Sequence, residues 1–114
     1  MVARLDGRLH LVVNAGRAAH DIGHLRQNID DSTKIDVHHD RALLALQGPK
    51  AAELLSNLGL DLDGFRFMDI RRFTLGTVPL VITRSGYTGE DGFEISMPAN
   101  AAVDIAKTLS LIHI

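Results

Sequence analysis

Apolar and polar residues alternate from Arg8 to Asn14, R-L-H-L-V-V-N, with Leu9, Leu11 and Val13 on one side. A period of two predicts a strand. Upstream, Leu5-Asp6-Gly7-Arg8 carries the Asp-Gly pair of a tight hairpin turn. From Arg17 to Ile29 the period lengthens. Ala18, Ile22, Leu25 and Ile29 fall on one face of a helix. Asp30-Asp31-Ser32-Thr33 is a polar turn, after which Ile35 and Val37 predict a short strand. Ala42 to Leu46 reads as a more buried strand. Gln47-Gly48-Pro49 then makes a strand-to-helix junction, with proline at the first helical position. Ala51, Ala52, Leu54, Leu55 and Leu58 give the helix its apolar face, and Gly59 ends it. Arg71–Leu75 and Val78–Thr83 predict a strand pair around Gly76-Thr77. Phe93, Ile95 and Met97 alternate with Glu94 and Ser96 in a further strand. Pro98 leads a last helix bearing Ala102, Ile105, Ala106 and Leu109. Helices and strands in this irregular order predict an α+β fold, with helices packed on a mixed or antiparallel sheet.

The remaining composition narrows the chemistry. The chain has 114 residues, enough for one domain, and 46% of them are hydrophobic. Its formal net charge of −2 disfavours nucleic acid, whose phosphates select a basic face. With no cysteine there is neither a disulfide framework nor a thiolate metal site. No apolar run approaches the roughly 20 residues that span a bilayer. The N-terminus lacks the basic-then-apolar layout of a signal peptide. The expectation is a cytoplasmic protein without membrane or nucleic-acid partners.

The densest candidate chemistry lies in R-S-G-Y-T-G-E-D-G-F-E-I-S, Arg84 to Ser96. Gly86, Gly89 and Gly92 permit a compact reversal whose amides can approach a ligand. No helix follows, so this is not the dinucleotide fingerprint. If Phe93, Ile95 and Met97 face the core, Glu94 faces a surface or a cleft. A carboxylate there can accept two parallel N–H bonds from an aminopyrimidine or guanidinium edge. A solvated glycine-rich loop would give the same composition. Other constellations are weaker. His20 and His24 sit at zinc-binding spacing but lack a third ligand, and a solvated helix face accounts for them. His38-His39-Asp40 reads as a polar strand end or turn. Ser85 lacks the glycine two residues earlier that a nucleophile elbow has. Gln47-Gly48-Pro49 could offer helix amides to an anion, though plain junction chemistry suffices.

Three blocks in order carry a resemblance: L-V-V-N-A-G (Leu11–Gly16), A-L-L-A-L-Q-G-P-K-A-A-E-L-L (Ala42–Leu55) and the Arg84–Ser96 stretch. Together they are similar to the aminomethyltransferase, or T-protein, of the glycine cleavage system, and to its central part. Related blocks occur in folate domains fused to sarcosine and dimethylglycine dehydrogenases. A non-transferase folate-binding module is therefore the alternative, marked by a flavin-binding domain upstream. The resemblance implies a folate-binding domain fragment and an enzyme as the parent protein. The family takes an aminomethyl group from the lipoyl arm of H-protein. It releases ammonia and passes the one-carbon unit to tetrahydrofolate, giving 5,10-methylenetetrahydrofolate. By this resemblance Glu94 would bind the pterin, Tyr87 would line the pocket, and Asn14 and the Val13 backbone would lie beside it. Glu90 and Asp91 are left as loop acids.

The family's catalytic aspartate maps upstream of Met1, so this chain carries no catalytic residue and is expected to be inactive alone. The family's pterin-binding arginine and C-terminal barrel domain map beyond its other end. The last six residues, Leu109-Ser-Leu-Ile-His-Ile, resemble the translation of a transposon-end sequencing adapter. Residues 1–108 are thus expected to be a partial folate-binding domain, and 109–114 a non-native tail.

Overall fold

The computed structural model describes residues 2–13, 15–85 and 91–112. These form two compact units, residues 1–39 and 40–114.

In the first unit, β1 (Val2–Leu5) pairs antiparallel with β2 (Arg8–Leu11), Val2 opposite Leu11 and Leu5 opposite Arg8. Asp6 (φ 54°) and Gly7 (φ 75°) both take positive φ, the geometry a two-residue hairpin turn requires. The strand stops at Leu11 rather than Asn14, at the residue opposite Val2. Helix α1 (Ala18–Asn28) follows a 3-10 turn. Its expected stripe of Ala18, Ile22 and Leu25 is less exposed than its other face, but no residue of α1 is fully buried. The Asp30 carboxylate accepts bonds from the Ser32 amide and hydroxyl and the Thr33 hydroxyl. The hydroxyl of Ser32 first, then that of Thr33, hold that carboxyl below the usual aspartate range. The strand expected around Ile35 and Val37 does not form, because among the described residues nothing pairs with them. A period of two without a ladder partner is not a strand.

The second unit is an antiparallel sheet of β3 (Arg41–Gln47), β4 (Ile70–Leu75), β5 (Val78–Arg84) and β6 (Gly92–Pro98), in the order β3-β6-β5-β4. The α+β expectation holds, with antiparallel pairing throughout these strands. One sheet face packs against α2 (Ala51–Asn57), α3 (Ala102–Ile112) and the segment linking α2 to β4. Phe93, Ile95 and Met97 from β6 meet Leu80 and Ile82 from β5, Leu54 and Leu55 from α2, and Ile105 and Leu109 from α3. Phe65 stands between Phe73 and Phe93, at centroid distances of 5.7 and 6.1 Å. Helix α2 begins at Ala51, so Pro49 lies in the turn ahead of it rather than at its first position. Ala106 of α3 faces outward, unlike Ile105. Helix α3 continues unbroken past Thr108 to Ile112.

Helix α2 ends as its glycine predicts. Gly59 has φ +88°; its amide bonds the Ser56 carbonyl at 3.0 Å, and the Leu60 amide bonds the Leu55 carbonyl at 3.3 Å. Leu55 and Leu60 are both buried, so the cap closes with an apolar contact. A Cβ in this left-handed geometry is strained. Gly59→Ala is expected to lower unfolding free energy by about 1–2 kcal/mol, read as an earlier midpoint in a urea melt with unchanged slope.

Candidate functional site

The sheet face away from the helices carries Glu94. Strand β6 is central, with Ala45 of β3 opposite Glu94 on one side and Thr83 of β5 on the other. A strand flanked on both sides buries even its polar positions, and Glu94 is only 9% exposed. Its Oε2 atom is fully enclosed and has no hydrogen-bond partner among the described residues. Such an atom costs free energy unless something donates to it. Thr83 (7% exposed) and Ser85 (3%) are the other buried polar side chains among the described residues, their hydroxyls 3.3 Å apart. Nearby, Arg41 Nε donates to the Ser96 hydroxyl at 3.1 Å. The sequence reading weighed Ser85 only as a nucleophile and did not single out Thr83. Their signal was present, because V-I-T-R-S sets two hydroxyls at a period of two, on the side opposite Ile82.

The connection from β5 to β6 runs from Ser85 to Asp91, far longer than hairpin closure needs, and its two ends are fastened. Arg84 donates through Nε to Asp91 Oδ1 at 3.0 Å and through Nη2 to Oδ2 at 2.6 Å. Its Nη1 donates to the Phe65 carbonyl at 2.6 Å, and its guanidinium lies 5.1 Å from the Phe93 ring centre. The Ser85 amide bonds the Gly92 carbonyl and the Gly48 amide bonds the Asp91 carbonyl, each at 2.9 Å. Arg84's own amide and carbonyl bond Asp69 and Met68. The hydrogen bonds from Arg84 hold the Asp91 carboxyl below the usual aspartate range. Asp91 in turn holds Arg84 more firmly protonated. Asp91, read from sequence as a loop acid, is therefore one half of a bidentate clamp.

Of the residues the resemblance assigned to the pterin, Glu94 lies on β6, and Val13 is half-buried just past β2 in the other unit. Tyr87 and Asn14 lie outside the described residues. Among the described residues, no group of three or more His, Asp or Glu side chains converges as metal ligands, and no helix is long and apolar enough to cross a membrane.

Among the described residues, a central antiparallel strand thus holds a buried carboxylate whose Oε2 has no donor, and the ends of the connection leading into that strand are clamped together. Residues 1–111 match the model of the GCVT N-terminal domain, and the chain belongs to that family. It is 41% identical over 111 residues to the mitochondrial aminomethyltransferase of Mesembryanthemum crystallinum, covering 91% of this chain and 27% of that protein. An aminomethyltransferase from Exiguobacterium sibiricum is 41% identical over 112 residues, covering 96% of this chain and 31% of its own length. The crystal structure of the glycine cleavage system aminomethyltransferase T from Bartonella henselae superposes with a TM-score of 0.75 at 40% identity, over 95% of this chain and 29% of that one. The chain thus spans under a third of the length of the relatives it matches. These relatives correct the expectation of a cytoplasmic protein: the plant and Dictyostelium discoideum relatives are mitochondrial, alongside the bacterial one.

Proposed function

We propose that this chain is part of a tetrahydrofolate-dependent aminomethyltransferase of the glycine cleavage system, and that Glu94 is its pterin-binding carboxylate. The observation that supports this most is the enclosed Glu94 oxygen, which has no donor among the described residues. An aminopyrimidine edge offers two parallel N–H donors, which a carboxylate accepts with both oxygens. Tetrahydrofolate fits that need and supplies the two nitrogens, one in the pterin ring and one on the linker beside it, that accept the one-carbon unit. Tyr87, Asn14 and the backbone of Val13 are assigned to the same ligand by the family resemblance alone. The other partner is the lipoylated H-protein, which delivers the aminomethyl group. The general acid–base residue comes from outside this chain, and a positioned acid or base typically contributes about 10²–10⁴ in rate.

The same reading takes residues 1–108 as partial folate-binding domain and 109–114 as adapter-derived. Sequencing the source DNA across both ends checks this. An aspartate codon just upstream and an arginine-bearing continuation downstream are expected; stop codons bounding the frame would overturn the transferase reading. The activity test is ammonia release from aminomethyl-lipoyl H-protein, with and without tetrahydrofolate. The full-length gene product is expected to release ammonia in a tetrahydrofolate-dependent manner, and residues 1–114 none above background. Release indifferent to tetrahydrofolate would contradict the proposal.

A further inference from the structure

On the face of the sheet that carries Glu94, Gln47 of β3 stands opposite Gly92 of β6. The Gln47 carboxamide occupies the space that a side chain at Gly92 would take. A Cβ at Gly92 would clash with the oxygen, carbon and nitrogen of the amide alike. Gly92 has no left-handed φ, so the position uses the missing side chain rather than backbone freedom. Gln47 is exposed, and its side chain makes no hydrogen bond among the described residues. Two residues along β6 is Glu94, whose enclosed oxygen has no partner among the described residues. Side chains i and i+2 leave a strand on one face, about 6.7 Å apart.

An acceptor-only group and a group with one acceptor and two donors therefore flank the same patch. That pair suits a flat fused heterocycle with two polar edges. Its aminopyrimidine edge, the exocyclic amine and the ring N–H beside it, meets the carboxylate, and its ring carbonyl accepts from the amide N–H. We infer that Gln47 is a second ligand-contacting residue, reading the carbonyl side of the reduced pterin, and that Gly92 is glycine so that the carboxamide can lie there. The inference rests on the folate reading. A glutamine free to rotate would lose side-chain entropy on binding, and the platform at Gly92 has removed part of that freedom beforehand.

The test is a calorimetric titration of the full-length protein with tetrahydrofolate. Gln47→Ala is expected to weaken binding about tenfold, the scale of one or two lost hydrogen bonds, while the melting temperature stays put because the residue is exposed. Gly92→Ala is expected to weaken binding similarly by expelling the carboxamide. The double variant should be no worse than the weaker single one, since both act through the same amide. Unchanged affinity in Gln47→Ala, with Glu94→Gln weakened, would overturn this inference and leave the folate reading standing. Unchanged affinity in Glu94→Gln would overturn both. A fully additive double variant would overturn the role given to Gly92. Should Gly92→Ala fail to fold, Gln47→Ala decides alone.

Discussion

Glu94→Gln is expected to weaken tetrahydrofolate binding about a hundredfold while leaving the protein as stable as before or more so. The two effects have one cause. Oε2 of Glu94 is enclosed and unpartnered among the described residues. A buried charge without a donor costs folding free energy, and an amide of the same shape reduces that cost. In the complex the carboxylate would accept two N–H donors, each charge-assisted bond contributing about 1.5–3 kcal/mol. Glutamine keeps one acceptor and turns a donor toward the other N–H. The expected loss is about 3 kcal/mol, a hundredfold or so in affinity. Calorimetry gives the affinity, and a thermal melt without ligand gives the stability. A residue serving only the fold would lose stability on substitution. A loss of melting temperature with affinity unchanged would therefore sink the assignment.

Breaking the Arg84–Asp91 clamp is expected to have the opposite signature, a large loss of stability. Both side chains are largely shielded from water, at 24% and 31% exposure, so their bidentate pair is not the weak surface kind. Arg84→Ala removes two charge-assisted bonds to Asp91, one to the Phe65 carbonyl, and the stacking on Phe93. It also leaves a partly buried carboxylate alone. The expected cost is about 3 kcal/mol, measured by urea melts. Asp91→Asn should cost less, because it leaves no charge unpaired on the acid side. The pH dependence follows from Asp91. Its folded pKa is depressed, so its contribution is fully present above the unfolded aspartate value of about 3.9 and is lost as pH falls below it. The stability gap between wild type and Asp91→Asn should thus be constant near neutrality and shrink below about pH 4. A gap that held constant to pH 2.5 would show that the ion pair contributes little.

The parts of this fold that were legible in the sequence are those set by local chemistry. Asp6-Gly7 announced a hairpin and Gly59 a helix stop, because each needs a backbone angle that few residues adopt. The Phe93-Ile95-Met97 alternation gave the core face of β6 correctly, since a strand has only two sides. What escaped depends on neighbours remote in sequence. Ile35 and Val37 alternate as a strand would, yet no partner strand meets them among the described residues. Alternation placed Glu94 away from the core, but its burial follows from β6 lying between β3 and β5, which no local pattern states. Asp91 looked like one acid among three in a turn. Only the return of β6 beside β5 brings it to Arg84. The carboxamide of Gln47 reaches Gly92 across forty-five positions of chain, through a strand register invisible in either segment alone. The chemistry of the site was thus readable as residue types, and its geometry was not.

We propose that tetrahydrofolate binds the sheet face bearing Glu94, opposite the helices. Amide nitrogen–proton correlation spectra, recorded as tetrahydrofolate is added, test it most directly. The largest shifts are expected at Thr83, Ser85 and Gly92 to Ser96, with α3 from Ala102 to Thr108 nearly silent. Shifts centred on α3 and the outer surface of α2, or no shifts at saturating tetrahydrofolate, would contradict it.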